Sequence, residues 1–331
     1  MENSILQSNP MLIVVFAIAI IIMLLLDLGV FNKKSHDVSN KEAVIWSVVW
    51  ISLAMVFSSL IYMYAGSVKF FEFQSAYWIE KSLSVDNLFV FIMVFKFFDV
   101  ANQNKHKVLF WGIIGALVLR AIFIFSGTFL IELTYLNTIL QKFGFQELKY
   151  NINIIMTLFG LFLIYAGIKS WFSNDEEEEE DFNNSRGAKL IRKLFPVSDK
   201  YDGSKFFTFE NGKKYATPLL VVVAVIEFTD LLFAVDSIPA IFAISNDPFI
   251  LYTSNIFAIL GLRALFFLLD NFIHLFSKLP YGLAIVLSFI GVKMIIAPFY
   301  HIESVHSLIV IGSVLAISVL LSVLFPDKKE D

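Results

Sequence analysis

Apolar runs of about twenty residues, each closed by a short polar stretch, recur nine times along the chain. A helix rising 1.5 Å per residue needs about 20 apolar residues to cross the hydrocarbon core of a bilayer, so each run is predicted to be a transmembrane helix. The nine spans cover 11–31, 43–65, 77–98, 108–131, 152–172, 218–245, 251–276, 282–299 and 305–325. The first is not a cleavable signal peptide: nothing basic precedes it, it is too long, and no small-residue cleavage site follows. Ser39-Asn40-Lys41-Glu42 reads as a capping box opening the second span. Thr217-Pro218 supplies an N-cap and a first-turn proline for the sixth.

The polar stretches divide the chain into a first membrane half (1–172), a polar segment (173–215), a second membrane half (216–325) and a short tail (326–331). With the N-terminus outside, the inner loops hold 17 Lys and Arg and the outer loops 3. That bias predicts an N-out, C-in topology and places segment 173–215 in the cytoplasm. The segment opens with an acidic run at 175–181 and then turns basic and Gly/Asn-rich. That acidic run reads as a solvated linker; a weak collector of cytosolic cations is the alternative.

Composition supports this class and narrows the chemistry. Hydrophobic residues make up 58% of the chain and charged residues 16%, with a mean hydropathy of +0.75. Soluble domains run near 45–50% and 25%. There is no cysteine, which rules out disulfides, thiolate metal sites and cysteine nucleophiles. No Walker loop or zinc-protease helix is present, so neither ATP-driven pumping nor hydrolysis has support, and no enzymatic activity is expected. The basic residues lie in loops beside membrane segments, so no nucleic-acid partner is expected.

The charges inside the spans repeat. Val85-Asp86-Asn87 recurs as Val235-Asp236-Ser237, and six residues upstream of each aspartate stands another acid, Glu80 and Asp230. Leu117-Val118-Leu119-Arg120-Ala121 recurs as Leu260-Gly261-Leu262-Arg263-Ala264, and Gly167-Ile168-Lys169 as Gly291-Val292-Lys293. The order of acid pair, arginine and lysine is thus shared by spans three to five (77–172) and six to eight (218–299). Each unit has an odd number of helices, so the two copies must be inverted across the membrane. In that arrangement Asp86 and Asp236 fall near the midplane. Glu80 lies about 9 Å outward and Asp230 about 9 Å inward. Residues six apart are about 120° apart around a straight helix, so each pair forms either separate stations or a broken helix. Pro239 is expected to break span six, freeing the Val235 carbonyl beside Asp236. Span three has Phe89 at the corresponding position.

An ionisable group near the bilayer centre costs several kcal/mol and needs a reason. Glu80, Asp86, Glu227, Asp230 and Asp236 outnumber the central Arg120 and Arg263, which read mainly as structural counter-charges. Lys169 and Lys293 lie near span ends, where they can snorkel. Asp27 reads as a local cap or pair. His301, Glu303 and His306 form an outward loop cluster with weak ligand character. Excess carboxylates without thiols or core histidines suit a hard or borderline divalent cation (Mn²⁺, Mg²⁺ or Ca²⁺); protons are the other candidate.

Three motifs carry a family resemblance. Leu26-Asp27-Leu28-Gly29-Val30-Phe31, Glu80-Lys81-Ser82-Leu83-Ser84-Val85-Asp86-Asn87-Leu88-Phe89-Val90-Phe91 and the run from Asp230 through Phe233-Ala234-Val235-Asp236-Ser237-Ile238-Pro239-Ala240 resemble the bacterial TerC family and its Alx-like branch. Residues 255–267 and Gly291-Val292-Lys293-Met294 fit as well, so the resemblance covers nearly the whole chain. It implies a multi-pass bacterial inner-membrane protein linked to manganese export and tellurium resistance, with kinship to transporters built from inverted three-helix repeats. The family's acidic motifs fall on Glu80, Asp86, Asp230 and Asp236, with Glu227 preceding the second. The expected function is export of Mn²⁺ or another divalent cation by alternating access. Asp86 and Asp236 would be central ligands, with Glu80, Asp230 and Glu227 as flanking ligands or proton acceptors. Asn87, Ser237 and the Val235 carbonyl would complete an oxygen shell, with protons as counter-ion. A non-transporting membrane scaffold in metal stress or protein metallation, and a proton or monovalent-cation carrier, are the alternatives. Oligomeric state is not legible from the sequence.

Overall fold

The computed structural model describes residues 5, 9–31, 40–143, 149–150, 152–172, 182–210, 212–272 and 278–325, without side chains at 26–31, 40, 85, 86, 89, 235, 236, 271 and 272. Its elements are α1 (Pro10–Phe31), α2 (Asn40–Phe97), α3 (Asn102–Leu133), the short α4 (Leu136–Lys142), α5 (Ile154–Phe172) and α6 (Arg186–Leu194). A hairpin of β1 (Phe207–Glu210) and β2 (Lys213–Ala216) follows. Then come α7 (Pro218–Phe242), α8 (Pro248–Leu260), α9 (Leu262–Phe272), α10 (Leu279–Ile296) and α11 (Ser304–Leu324). Among the described residues, helix covers most of each expected span. The protein is all-α in its membrane part.

Spans two and three lie within the single stretch α2, which is not straight. Gly66 has φ 85° and ψ 177°, a conformation that favours glycine. The Gln74 amide donates to Ser58 Oγ at 2.8 Å, although sixteen residues of straight helix would separate them by about 24 Å. Phe57 and Phe73, with ring centroids 5.7 Å apart, repeat the pairing. The chain therefore folds back at Gly66 into a helical hairpin. By length and composition, six helices among the described residues can cross a membrane, or seven when the bent pair α8–α9 counts as one span. That count takes Lys41–Ser84 as one stretch despite its reversal, and leaves out the shorter apolar stretch Pro10–Leu25 of α1.

Two features correct the expected outline. Helix α7 does not break at Pro239; it continues to Phe242. A proline removes one ladder bond, and in the last turn few bonds remain to disrupt. The broken span is the seventh, where α8 and α9 meet at Gly261 with a bend of 40°. Asp247 starts α8 earlier than expected by accepting the Phe249 N–H at 3.0 Å, with Pro248 at the first helical position. Thr217 does precede α7, but its hydroxyl donates to the Lys205 carbonyl at 2.7 Å rather than capping the helix. The capping box at Ser39 and the acidic run 175–181 lie outside the described residues.

The seam between α5 and α10 carries the internal symmetry. A Cβ on Gly160 would come within 2.8 Å of the Gly291 carbonyl oxygen, and one on Gly167 within 2.6 Å of that of Ala284. Pairing Gly167 with Gly291, as the sequence repeat does, also pairs Gly160 with Ala284. Each contact then maps onto the other, as inverted repeats related by an axis in the membrane plane require. Small residues let the two backbones approach, which stands in for the missing hydrophobic drive between helices in lipid. Along the middle of α5 and α11 the exposed side chains, among them Leu158, Tyr165, Ile309 and Leu320, are mostly apolar and face outward, as helices surrounded by lipid do.

The polar segment is folded at 182–216. Helix α6 buries Gly187, Ala188 and Ile191, and a Cβ on Gly187 would lie 2.3 Å from the Ala224 carbonyl on α7. The turn before the hairpin docks on the α2–α3 corner. Tyr201 donates to the Phe98 carbonyl at 2.7 Å, and Asn104 to the Gly203 carbonyl at 3.1 Å. The described part of this segment is a docked cap over one end of the bundle.

Candidate functional site

The site lies between the second arm of α2, α3 and α7. Arg120 on α3 reaches both repeats at once. Its Nη1 donates to Glu80 Oε1, its Nη2 to Asp230 Oδ1 at 3.0 Å, and its Nε to Asp230 Oδ2 at 3.4 Å. Arg120 and Glu80 are each 1% exposed, so the pairs act in a medium where an unpaired charge is costly. Glu227 lies one turn before Asp230, on the same side of α7. Its carboxylate packs against Gly115 of α3, where a Cβ would come within 2.0 Å of it. Glu80 Oε2 and Glu227 Oε2 have no hydrogen-bond partner among the described residues.

The Ser245 hydroxyl, just beyond α7, donates to Glu72 Oε2 on α2 at 2.6 Å, while Glu80 and Asp230 share Arg120. The two helices therefore run antiparallel, and the carboxylates of Glu80 and Asp230 meet at one guanidinium. Spacing within each helix was legible; the slide of one helix along the other depends on how far an arginine on a third helix reaches. The side chains of Asp27, Asp86 and Asp236 lie outside the described set. Among the described residues no three acids or histidines converge to hold a metal ion.

The remaining candidates separate by position. Arg263, at the start of α9, lines a void of about 10 Å³ together with Asp230, close to the smallest volume that holds one water. Asn87 and Ser237 are buried, and the Ser237 hydroxyl has no partner among the described residues. Lys169 is exposed at the end of α5, as expected. Its repeat mate Lys293 does not snorkel; it is buried and donates to Ser307 Oγ at 2.8 Å. Lys293, Glu72, Ser245, Asn153, His301 and Glu303 line a cavity of about 630 Å³ at the end opposite the docked cap. His306 Nδ1 lies 3.9 Å from Glu303 Oε2, both on the surface.

Several buried polar groups went unmarked in the sequence. Tyr77, Ser84 and Asn255 have side-chain polar atoms without partners among the described residues. Tyr77 precedes Glu80 by three residues as Glu227 precedes Asp230, so extending the repeat would have found it. Glu72 and Lys81 lie outside the repeated charge pattern, and nothing in the sequence marked Glu72.

Apolar, lipid-facing helices, two inverted units joined by a glycine seam, and acids sealed between them on an arginine define a polytopic integral membrane protein. The chain belongs to the integral membrane protein TerC family, whose family model matches residues 65–330. It is 44% identical over 319 residues to an uncharacterized membrane protein of Myxococcus xanthus, covering 96% of this chain and 93% of that one. It is also similar to two proteins named "Putative membrane-bound redox modulator Alx". The Salmonella typhi protein is 40% identical over 95% of this chain and 94% of its own length. The Escherichia coli K12 protein is 38% identical over 95% of both. No solved structure matches.

Proposed function

We propose that the protein moves a divalent cation, Mn²⁺ first among candidates, out across the bacterial inner membrane by alternating access. The observation that carries this reading is the meeting of Glu80 and Asp230, one acid from each inverted half, on a single arginine with carboxylate oxygens left over. Inverted repeats place transport sites at the interface between their halves. Five acids (Glu80, Asp86, Glu227, Asp230, Asp236) outnumber the central Arg120 and Arg263 and the buried Lys81. Oxygen donors and the absence of thiols suit Mn²⁺, Mg²⁺ or Ca²⁺. In this reading Asp86 and Asp236 are further stations along the same two helices, and Asn87 and Ser237 supply neutral oxygens. Protons are the natural counter-ion, because acidic ligands must shed them to take up metal.

Purified protein in liposomes tests the reading. Mn²⁺ flux is expected from the wild type and is lost in Asp86→Asn and Asp236→Asn. Vesicles that move no divalent ion would favour a scaffold role, and flux that divalent ions do not inhibit would favour a proton or monovalent-cation carrier. The name borne by the Alx relatives suggests redox modulation. With no cysteine in this chain, any such role here runs through metal supply or partners rather than thiol exchange.

A further inference from the structure

The break between α8 and α9 leaves a helix C-terminus inside the bundle. The last carbonyls of a helix have no partner within it, and the end carries about half a unit of negative charge. Here Gly261 N–H closes on the Ile259 carbonyl. The Ala258 carbonyl instead accepts from Lys81 Nζ at 3.2 Å, and Lys81 is 7% exposed. Among the described residues this is the hydrogen bond that Lys81 makes. Gly261 makes room for it: a Cβ there would lie 2.7 Å from Lys81 Nζ and 3.1 Å from Cβ of Trp50, which roofs the break.

The molecule contains its own control. In the inverted repeat Gly261 corresponds to Val118 and Lys81 to Leu231. The copy with valine and leucine has an unbroken helix, α3 running from Asn102 through Leu133. The copy with glycine and lysine is bent by 40°. Break and ammonium occur together, at one of the two symmetry-related contacts only.

We propose that the Gly261 break is a site for a monovalent cation, occupied in cis by the ammonium of Lys81. Discontinuous helices in transporters coordinate alkali cations with just such carbonyls at half-helix ends. The lysine supplies the same charge from within the chain, so the wild type needs no dissolved ion there. The inference does not depend on which ion the protein transports.

The test uses the purified full-length protein in detergent and follows the midpoint of thermal unfolding. Lys81→Ala is expected to lower the midpoint, and sodium chloride or propylammonium chloride to recover at least half of the loss relative to choline chloride at equal ionic strength. The wild type is expected not to distinguish the three salts. Failure of both small cations to stabilise the variant, or an equal response from the wild type, overturns the proposal. Lys81→Met keeps the apolar stem without the charge and covers the case in which Lys81→Ala does not fold. It is expected to lose stability as well, and a midpoint equal to the wild type's overturns the proposal.

Discussion

Arg120 joins two carboxylates that come from different halves of the chain, and its removal would leave both charged in a buried site. Breaking a buried pair of this kind costs about 3–5 kcal/mol, since an uncompensated charge stays behind. Arg120→Met is therefore expected to lower the thermal midpoint sharply or abolish folding. Adding Glu80→Gln and Asp230→Asn to that variant is expected to recover part of the loss. If Arg120→Met unfolds like the wild type, the arginine does not hold these acids. Glu227 differs in kind: its unpartnered oxygen and its packing against Gly115 leave it available for chemistry, whereas Glu80 and Asp230 are each tied to Arg120.

Among the elements, the hairpin at Gly66, the break at Gly261 and the docked cap differ most from a chain of straight spans. The cap is latched in part by Tyr201, whose phenol donates to the Phe98 carbonyl. Burial first, and then the charge of Asp99, pushes its pKa up to about 12. The donor form is thus the stabilised one. Its contribution is fully present below the unfolded value of about 10 and is lost as the pH rises through 12. Amide exchange of the docked turn is expected to report a constant opening equilibrium between roughly pH 6 and 9. Tyr201→Phe is expected to weaken docking by about 1 kcal/mol across that window. A latch that loosens within the window would contradict this assignment.

For the whole molecule, the α5–α10 seam sets how the two inverted halves meet. A Cβ on Gly291 would already come within 2.5 Å of the Gly160 carbonyl, while one on Gly312, on α11, meets nothing within 4 Å. Gly291→Leu is expected to abolish a monodisperse folded protein in size-exclusion chromatography, and Gly312→Leu to leave it intact. Equal behaviour of the two would remove the seam from its place as the contact between the halves. The cavity beside Glu72 and Lys293 and the cap on α6 and the hairpin lie at opposite ends of this assembly.

The apolar runs by themselves determined that the chain crosses a membrane, because about twenty residues without charge have no other stable place. The spacing of Glu80, Asp86, Asp230, Asp236, Arg120 and Arg263 determined the inverted repeat, since three helices per unit leave no other relation. Tertiary structure decided the rest. Pro239 bends into the end of a continuous helix while Gly261 breaks one, because the Lys81 ammonium from another helix satisfies the carbonyl that the break exposes. Glu80 and Asp230 meet because Arg120 on a third helix reaches both. A sequence states distances along each helix; how far one helix slides along another, and which buried group meets which, follow from packing between segments far apart in the chain.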